Sequence, residues 1–274
     1  MALLSLLAGR RVIVTGASSG IGASIARIFA GHGARVAALG RAEAPLRALE
    51  AATPNVEIIA IGDLTESGSC ERLVSESVAA LGGVDVLVNC AGVLRGATMQ
   101  DTTPEIWHAN MSANATAVFE MMHYAIPHLD LSAASASSDD AATSSTSAIL
   151  NVSSVNGLQA FGGTAAYCTS KAAVDQLTRC ASVDLAPLGI RVNAVNPGVV
   201  VSELQKRGGL DDATYTAFLE RSAEVTHPIG AHHGRVANPE EVAELAAFLC
   251  SDKASYITGA CVAVDGGRQN LGAR

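Results

Sequence analysis

Tyr167 and Lys171 stand four residues apart in the stretch Tyr167-Cys168-Thr169-Ser170-Lys171. On a helix this spacing puts a phenol and an ammonium on one face, one turn apart. A phenol ordinarily loses its proton near pH ~10. A fixed cation beside it favours the phenolate and lowers that value. The expectation is a side chain that gives or takes a proton near neutral pH. Many helices carry Tyr-x-x-x-Lys as packing plus a solvated charge, so the pair gains meaning only from partners elsewhere in the chain.

The first partner is a turn. Val12-Ile13-Val14 runs into Thr15-Gly16-Ala17-Ser18-Ser19-Gly20-Ile21-Gly22, and an amphipathic segment over 21–32 follows. Glycines between a strand and a helix let the backbone turn sharply. They also let a pyrophosphate approach the helix N-terminus, where free N–H groups and the macrodipole favour an anion. Ser18 and Ser19 add hydroxyl donors.

The elements around these residues alternate. Strand-like runs lie at 35–39, 56–61, 84–88, 148–152, 190–195 and 261–264. Helical patterns lie at 42–52, 66–82, 104–129 and 165–186. Repeated β–α units predict an α/β chain: one doubly wound, Rossmann-type parallel sheet of about seven strands with helices on both faces. A length of 274 residues fits a single domain spanning 1–274. Residues 130–147, rich in Ser, Ala, Thr and Asp, read as a low-complexity surface loop.

Composition removes other classes. Hydrophobic residues make up 49% and net charge is −8, with mean hydropathy +0.30. A large core can form, and no basic cluster suited to nucleic acid or a membrane surface is present. Six scattered cysteines without Cys-x-x-Cys or a His at ligand spacing read as free thiols in a reducing compartment. No signal peptide, membrane span or metal is expected, and the location read from this is cytoplasmic. His232-His233 reads as a solvated loop, because adjacent side chains point apart. Cys168 reads as a packed residue, since no His/Asp partner pattern accompanies it.

The glycine spacing, Gly16-x-x-x-Gly20-x-Gly22, together with Tyr167-x-x-x-Lys171, resembles the short-chain dehydrogenase/reductase family, and in particular its 3-oxoacyl-carrier-protein reductases. The resemblance runs from about residue 8 to 267, with motifs in family order. Asp63-Leu64 follows the third strand, where the family's Asp contacts adenine. Asn89-Cys90-Ala91-Gly92 is similar to Asn-Asn-Ala-Gly, with Cys90 in place of the second Asn. Pro197-Gly198-Val199-Val200-Val201-Ser202 resembles Pro-Gly-x-x-x-Thr, whose backbone and hydroxyl hold the nicotinamide amide. Ser255-Tyr256-Ile257-Thr258-Gly259 and Val264-Asp265-Gly266-Gly267 match the last strand and turn. The implied cofactor-binding set is Gly16, Ser18, Ser19, Gly20, Ile21, Gly22, Arg41, Asp63, Leu64, Asn89, Ala91, Gly92, Tyr167, Lys171, Pro197, Gly198, Val200 and Ser202.

The resemblance also assigns catalytic roles. Ser154, thirteen residues before Tyr167, is implied to bind the substrate oxygen, and Ser153 to be structural. Tyr167 is implied to move the proton, with Lys171 tuning it and holding the nicotinamide ribose. Asn110 and Asn114 both sit on the long helical segment. The family's spacing from Trp107 and to Phe119 selects Asn114, implied to hold a water that relays protons to Lys171.

The second strand ends Leu39-Gly40-Arg41 without the carboxylate that would bind the NAD ribose, so NADP(H) is expected and NAD(H) is the alternative. The reading is a hydride transfer between NADP(H) and a carbonyl or secondary alcohol. Its alternatives are an NAD-dependent alcohol dehydrogenase and a catalytically silent dinucleotide-binding regulator or scaffold. A small-molecule substrate and a homodimer or homotetramer are implied. The segment 199–226 is expected to choose the substrate through Leu204, Leu210, Tyr215, Phe218 and Leu219, while Ala231-His232-His233-Gly234 looks inserted relative to the family.

Overall fold

A computed structural model describes residues 5–129 and 147–271. The low-complexity segment 130–147 therefore lies outside the described residues, apart from Ser147. The chain runs β1 (Arg11–Thr15), α1 (Gly20–Gly31), β2 (Arg35–Gly40), α2 (Glu43–Ala52), β3 (Val56–Ile61), α3 (Ser69–Leu81) and β4 (Val86–Asn89). Next come α4 (Pro104–Met111), α5 (Ala117–Ala125), β5 (Ser147–Val152), α6 (Ala165–Leu185) and β6 (Ile190–Pro197). The last part holds α7 (Leu204–Arg207), α8 (Asp212–Arg221), α9 (Pro228–His233), α10 (Pro239–Cys250) and β7 (Cys261–Val264).

All seven strands join one sheet in the order β3-β2-β1-β4-β5-β6-β7, and every pairing is parallel. This is the doubly wound Rossmann-type architecture that the β–α alternation predicts. Strands β4, β5 and β6 are buried along their whole length, as expected when helices cover both faces. Alternate residues divide between the two layers. Val12, Val14 and Val88 pack with Phe29 of α1 and Val242 of α10. Ile13, Leu87 and Ile149 pack with Leu73 of α3, Met121 of α5 and Val174 of α6. The chain reverses direction across the sheet between β1 and β4, and that switch opens a crevice at the strands' carboxyl ends.

Two expected elements differ. The single helix expected over 104–129 is α4 and α5 joined by a π-helical turn, Ser112–Thr116, with a short 3-10 turn at Ile126–His128. Turns of this kind occur mostly as single-turn interruptions of α-helices, and buried Asn114 lies at the middle of this one. His232 and His233 are not in a loop. They form the last turn of α9, which ends at Gly234 with φ +66. Its first residue is Pro228, suited to a helix start.

Candidate active site

The turn after β1 is built by close approach. Gly16 has φ +70, and a Cβ there would lie 2.8 Å from the Ala91 backbone. A Cβ on Gly22 would collide with the Gly16 carbonyl. The Thr15 hydroxyl accepts from the Cys90 and Ala91 N–H groups at 3.0 and 3.1 Å, tying the turn to the end of β4. Helix α1 carries no acid in its first turn, so its N-terminal N–H groups and positive dipole end face the crevice uncompensated. A glycine cradle and an open helix N-terminus fit the pyrophosphate of a dinucleotide.

A groove of about 880 Å³ runs from this turn across the switch point. The expected cofactor residues line it with a single exception. Asn89 is buried, and its side-chain amide donates to the Asn151 carbonyl oxygen at 3.0 Å, so it braces β4 against β5 instead of facing the groove. Arg41 reaches Asp63 at 3.3 Å, and Asp63 also accepts from the Thr65 backbone and hydroxyl at 2.9 and 2.7 Å. These bonds hold the Asp63 carboxyl below its usual range, against the opposing effect of its partial burial.

Ser154, Tyr167 and Lys171 meet in the same groove. Tyr167 and Lys171 lie one turn apart on the buried face of α6. Ser154 caps a short turn, Val155–Gly157, and its hydroxyl accepts from the Asn156 N–H at 3.1 Å. Ser153 points the other way, donating to the Lys171 carbonyl at 3.1 Å, which matches its expected structural place. The Lys171 ammonium donates to the Val152 carbonyl at 2.8 Å and sits 5.9 Å from the Tyr167 ring centre.

The electrostatics correct one expectation. The Tyr167 phenol is not lowered toward neutrality. Burial pushes it up to about 12, against a smaller opposing effect of a hydrogen bond with Ser154. Burial also brings Lys171 down to about 8, opposed by Cys90 and Asp175.

Asn114 lies behind the groove, fully buried. Its oxygen accepts from the Val93 N–H at 2.8 Å, and its amide donates to the Val93 carbonyl and the Ser170 hydroxyl, both at 2.9 Å. It thus joins the π turn to the loop after β4 and to α6. Asn110 bonds the backbone instead, at Arg95 and Ile106.

The segment after β6 departs from expectation. Of its five apolar candidates only Leu204 lines the groove. Phe218 and Leu219 pack on Val199, Ala223 and Val236. Tyr215 is buried, and its hydroxyl accepts from the Ser202 N–H at 3.0 Å and donates to the Ser202 carbonyl at 2.8 Å. It clasps the loop and lies outside the groove lining.

Three supporting residues escaped the sequence reading. Asn196 donates to both Asp175 oxygens at 3.0 and 3.1 Å and to the Ser154 carbonyl at 2.9 Å. Asp175 could have been found by its spacing, four residues beyond Lys171 on the same helix face. His227 accepts the Val199 N–H through Nε2 at 2.9 Å, which makes Nδ1 the protonated nitrogen, donating to the Ser222 carbonyl at 2.8 Å. No local pattern marks it. Among the described residues no group of three or more His, Cys, Asp or Glu could hold a metal. None of the described helices is long and apolar enough to cross a membrane.

Fold and groove together define a dinucleotide-binding oxidoreductase. The comparisons agree. The family model described as enoyl-(acyl carrier protein) reductase matches residues 16–269. Bovine L-xylulose reductase is 35% identical over 261 residues, covering 95% of this chain and 97% of the relative. A 3-oxoacyl-[acyl-carrier-protein] reductase of Chlamydia muridarum is 32% identical, covering 96% and 98%. A solved Caenorhabditis elegans short-chain dehydrogenase/reductase of unknown function, with cofactor, superposes with TM-score 0.85 at 30% identity, covering 97% of each chain. The chain belongs to the short-chain dehydrogenase/reductase family, whose members are NAD(P)-dependent oxidoreductases acting on CH–OH groups.

Proposed function

We propose that this protein transfers hydride between NADP(H) and a ketone or secondary alcohol, with Tyr167 as the acid/base. The observation that carries the reading is the meeting of Ser154, Tyr167 and Lys171 in the groove that begins at the Gly16–Gly22 turn. When bound, the nicotinamide supplies or accepts the hydride. The Ser154 hydroxyl binds the substrate oxygen. Tyr167, which burial holds in the protonated form, gives its proton to that oxygen during reduction, and its phenolate takes the proton back in the reverse direction. Lys171 holds the ribose side of the cofactor and keeps a positive charge beside the reacting oxygen. Asn114 fixes the loop that forms this side of the groove.

The preference for NADP(H) rests on Arg41 at the end of β2, where no carboxylate stands to bind a ribose diol or repel a phosphate. Arg41 is largely exposed and lines the groove, so turning from Asp63 to a 2′-phosphate costs it only a solvated ion pair. The names of the two relatives span a sugar and an acyl thioester, so they support carbonyl chemistry without selecting a substrate. Exposed Trp107, Phe119 and Val183 support pairing of subunits through the α4–α6 side. Light scattering would test that pairing.

The direct test compares wild type with Tyr167→Phe on a carbonyl panel with both cofactors. Turnover should be lost in the variant while NADPH binding, read by fluorescence, is retained. A catalytic efficiency with NADH equal to or above that with NADPH would sink the cofactor assignment. Absence of turnover by wild type across the panel would favour a silent dinucleotide-binding regulator.

A further inference from the structure

The substrate end of the groove has a charge of its own. Fully buried Asn110 grips both polar groups of the Arg95 backbone, accepting from its N–H at 3.2 Å and donating to its carbonyl at 3.1 Å. The next residues are pinned as well. A Cβ on Gly96 would lie 3.1 Å from the Gly163 carbonyl, and Ala97 bridges Thr164. Arg95 thus leaves a fixed backbone and lines the groove.

Arg207, the last residue of α7, lines it too. The chain beside each touches: a Cβ on Gly208 would lie 3.0 Å from the Leu94 carbonyl. Both arginines are exposed. Among the described residues neither guanidinium has an ion-pair partner, whereas Arg41, Arg47, Arg72 and Arg235 all do.

The groove lining holds four cations, Arg41, Arg95, Lys171 and Arg207, against the carboxylates Asp63 and Glu203. The chain as a whole carries −8. Arg41 and Asp63 pair with one another, and Lys171 belongs to the catalytic cluster. What is left in the lining is two guanidiniums against one exposed carboxylate, Glu203. A positive cleft in an acidic protein concentrates anions, and a guanidinium fork matches a carboxylate in plane and spacing.

We infer that the substrate is a keto acid or hydroxy acid whose carboxylate is bound by Arg95 and Arg207 while its carbonyl or hydroxyl lies at Ser154 and Tyr167. The inference rests on the oxidoreductase reading above and adds the substrate class.

The test uses the full chain with NADPH and matched pairs: 4-oxocyclohexanecarboxylate against its methyl ester, and acetoacetate against acetoacetyl-CoA. The free acid should exceed the ester in kcat/KM by about tenfold or more, mainly through KM, and the advantage should shrink as salt is raised. Arg95→Met and Arg207→Met should each narrow the acid-to-ester ratio, and the double variant should bring it near unity. Turnover of acid and ester with equal kcat/KM would overturn the carboxylate site and leave the oxidoreductase reading standing. Preference for the CoA thioester over acetoacetate would assign the guanidiniums to phosphate and also overturn it. No turnover of any pair by wild type, with turnover of other carbonyls on the panel, would overturn the carboxylate site alone; no turnover on the panel either would remove both readings.

Discussion

The Lys171 ammonium donates to the Val152 carbonyl at 2.8 Å, locking the first half of α6 onto the end of β5. Burial costs this ammonium solvation and brings its pKa down to about 8, while the Tyr167 phenol stands near 12. If Tyr167 is the proton donor as proposed, it stays protonated over the ordinary pH range during reduction, and the group expected to titrate is the lysine. The rate of reduction should hold steady up to about pH 7 and fall as pH rises through about 8. Lys171→Met should lower kcat by roughly 10²–10⁴ and erase the limb. A pH–rate profile of kcat/KM checks this, and a wild-type profile flat to pH 10 would contradict it.

His227 stabilises the loop after β6 only in its neutral form, since Nε2 must accept from Val199. Burial lowers its pKa below the ordinary 6.5, with Arg268 adding to the effect and the bond to Ser222 and the nearby Asp265 opposing it. The unfolded chain takes up the proton first as pH falls. Stability linked to His227 is therefore present above about 6.5 and lost as pH drops toward its folded value. Melting temperatures of wild type should fall on acidification more steeply than those of His227→Gln. Parallel curves for the two proteins would remove His227 as the cause.

Asn114→Ala should leave the Val93 N–H and carbonyl without a buried partner and the Ser170 hydroxyl with only its bond to the Tyr167 carbonyl. Each unpaired buried group costs roughly 1–3 kcal/mol, so the melting temperature should drop by several degrees, about 2–4 °C per kcal/mol for a chain of this size class. Cofactor affinity should weaken as the Gly92–Val93 loop loosens. Thermal melts with and without NADPH read both effects. Asn110→Ala should disturb Arg95 and leave Gly92–Val93 in place, so the two variants separate by cofactor affinity.

What was legible in the sequence was whatever depends on neighbours along the chain. The β–α rhythm survives because each strand and helix carries its own apolar period. The Gly16–Gly22 turn is read from residue type, and the shared face of Tyr167 and Lys171 follows from helical spacing. What was not legible depends on contacts across the sheet. The π turn at Ser112–Thr116 coincides with the bond of Asn114 to a loop 21 residues away. Asn89 looks like a cofactor ligand until Asn151, 62 residues on, takes its amide. Tyr215 reads as an apolar wall until its hydroxyl finds Ser202. The phenol's pKa belongs here too: spacing along the helix brings a cation near, but burial, which spacing does not show, pushes the pKa up.

Asp175 gives the last prediction, because it joins Lys171 to Ser154. It lies one turn beyond Lys171 on α6 and is buried, and its carboxylate takes both bonds from Asn196, which in turn holds the Ser154 carbonyl. Gly157, in the turn that Ser154 caps, has no room for a side chain because a Cβ there would strike that carboxylate. The anion also favours the charged form of Lys171. Asp175→Asn keeps the volume and an acceptor for Asn196 but removes the charge. Without it the Lys171 ammonium is less favoured, so the alkaline limb of the rate profile should move to lower pH. Asp175→Ala should do the same and also free Asn196, lowering kcat further as Ser154 loses its support. A limb that stays in place in Asp175→Asn, with melting temperature alone reduced, would make Asp175 a packing residue with no hold on the catalytic charge.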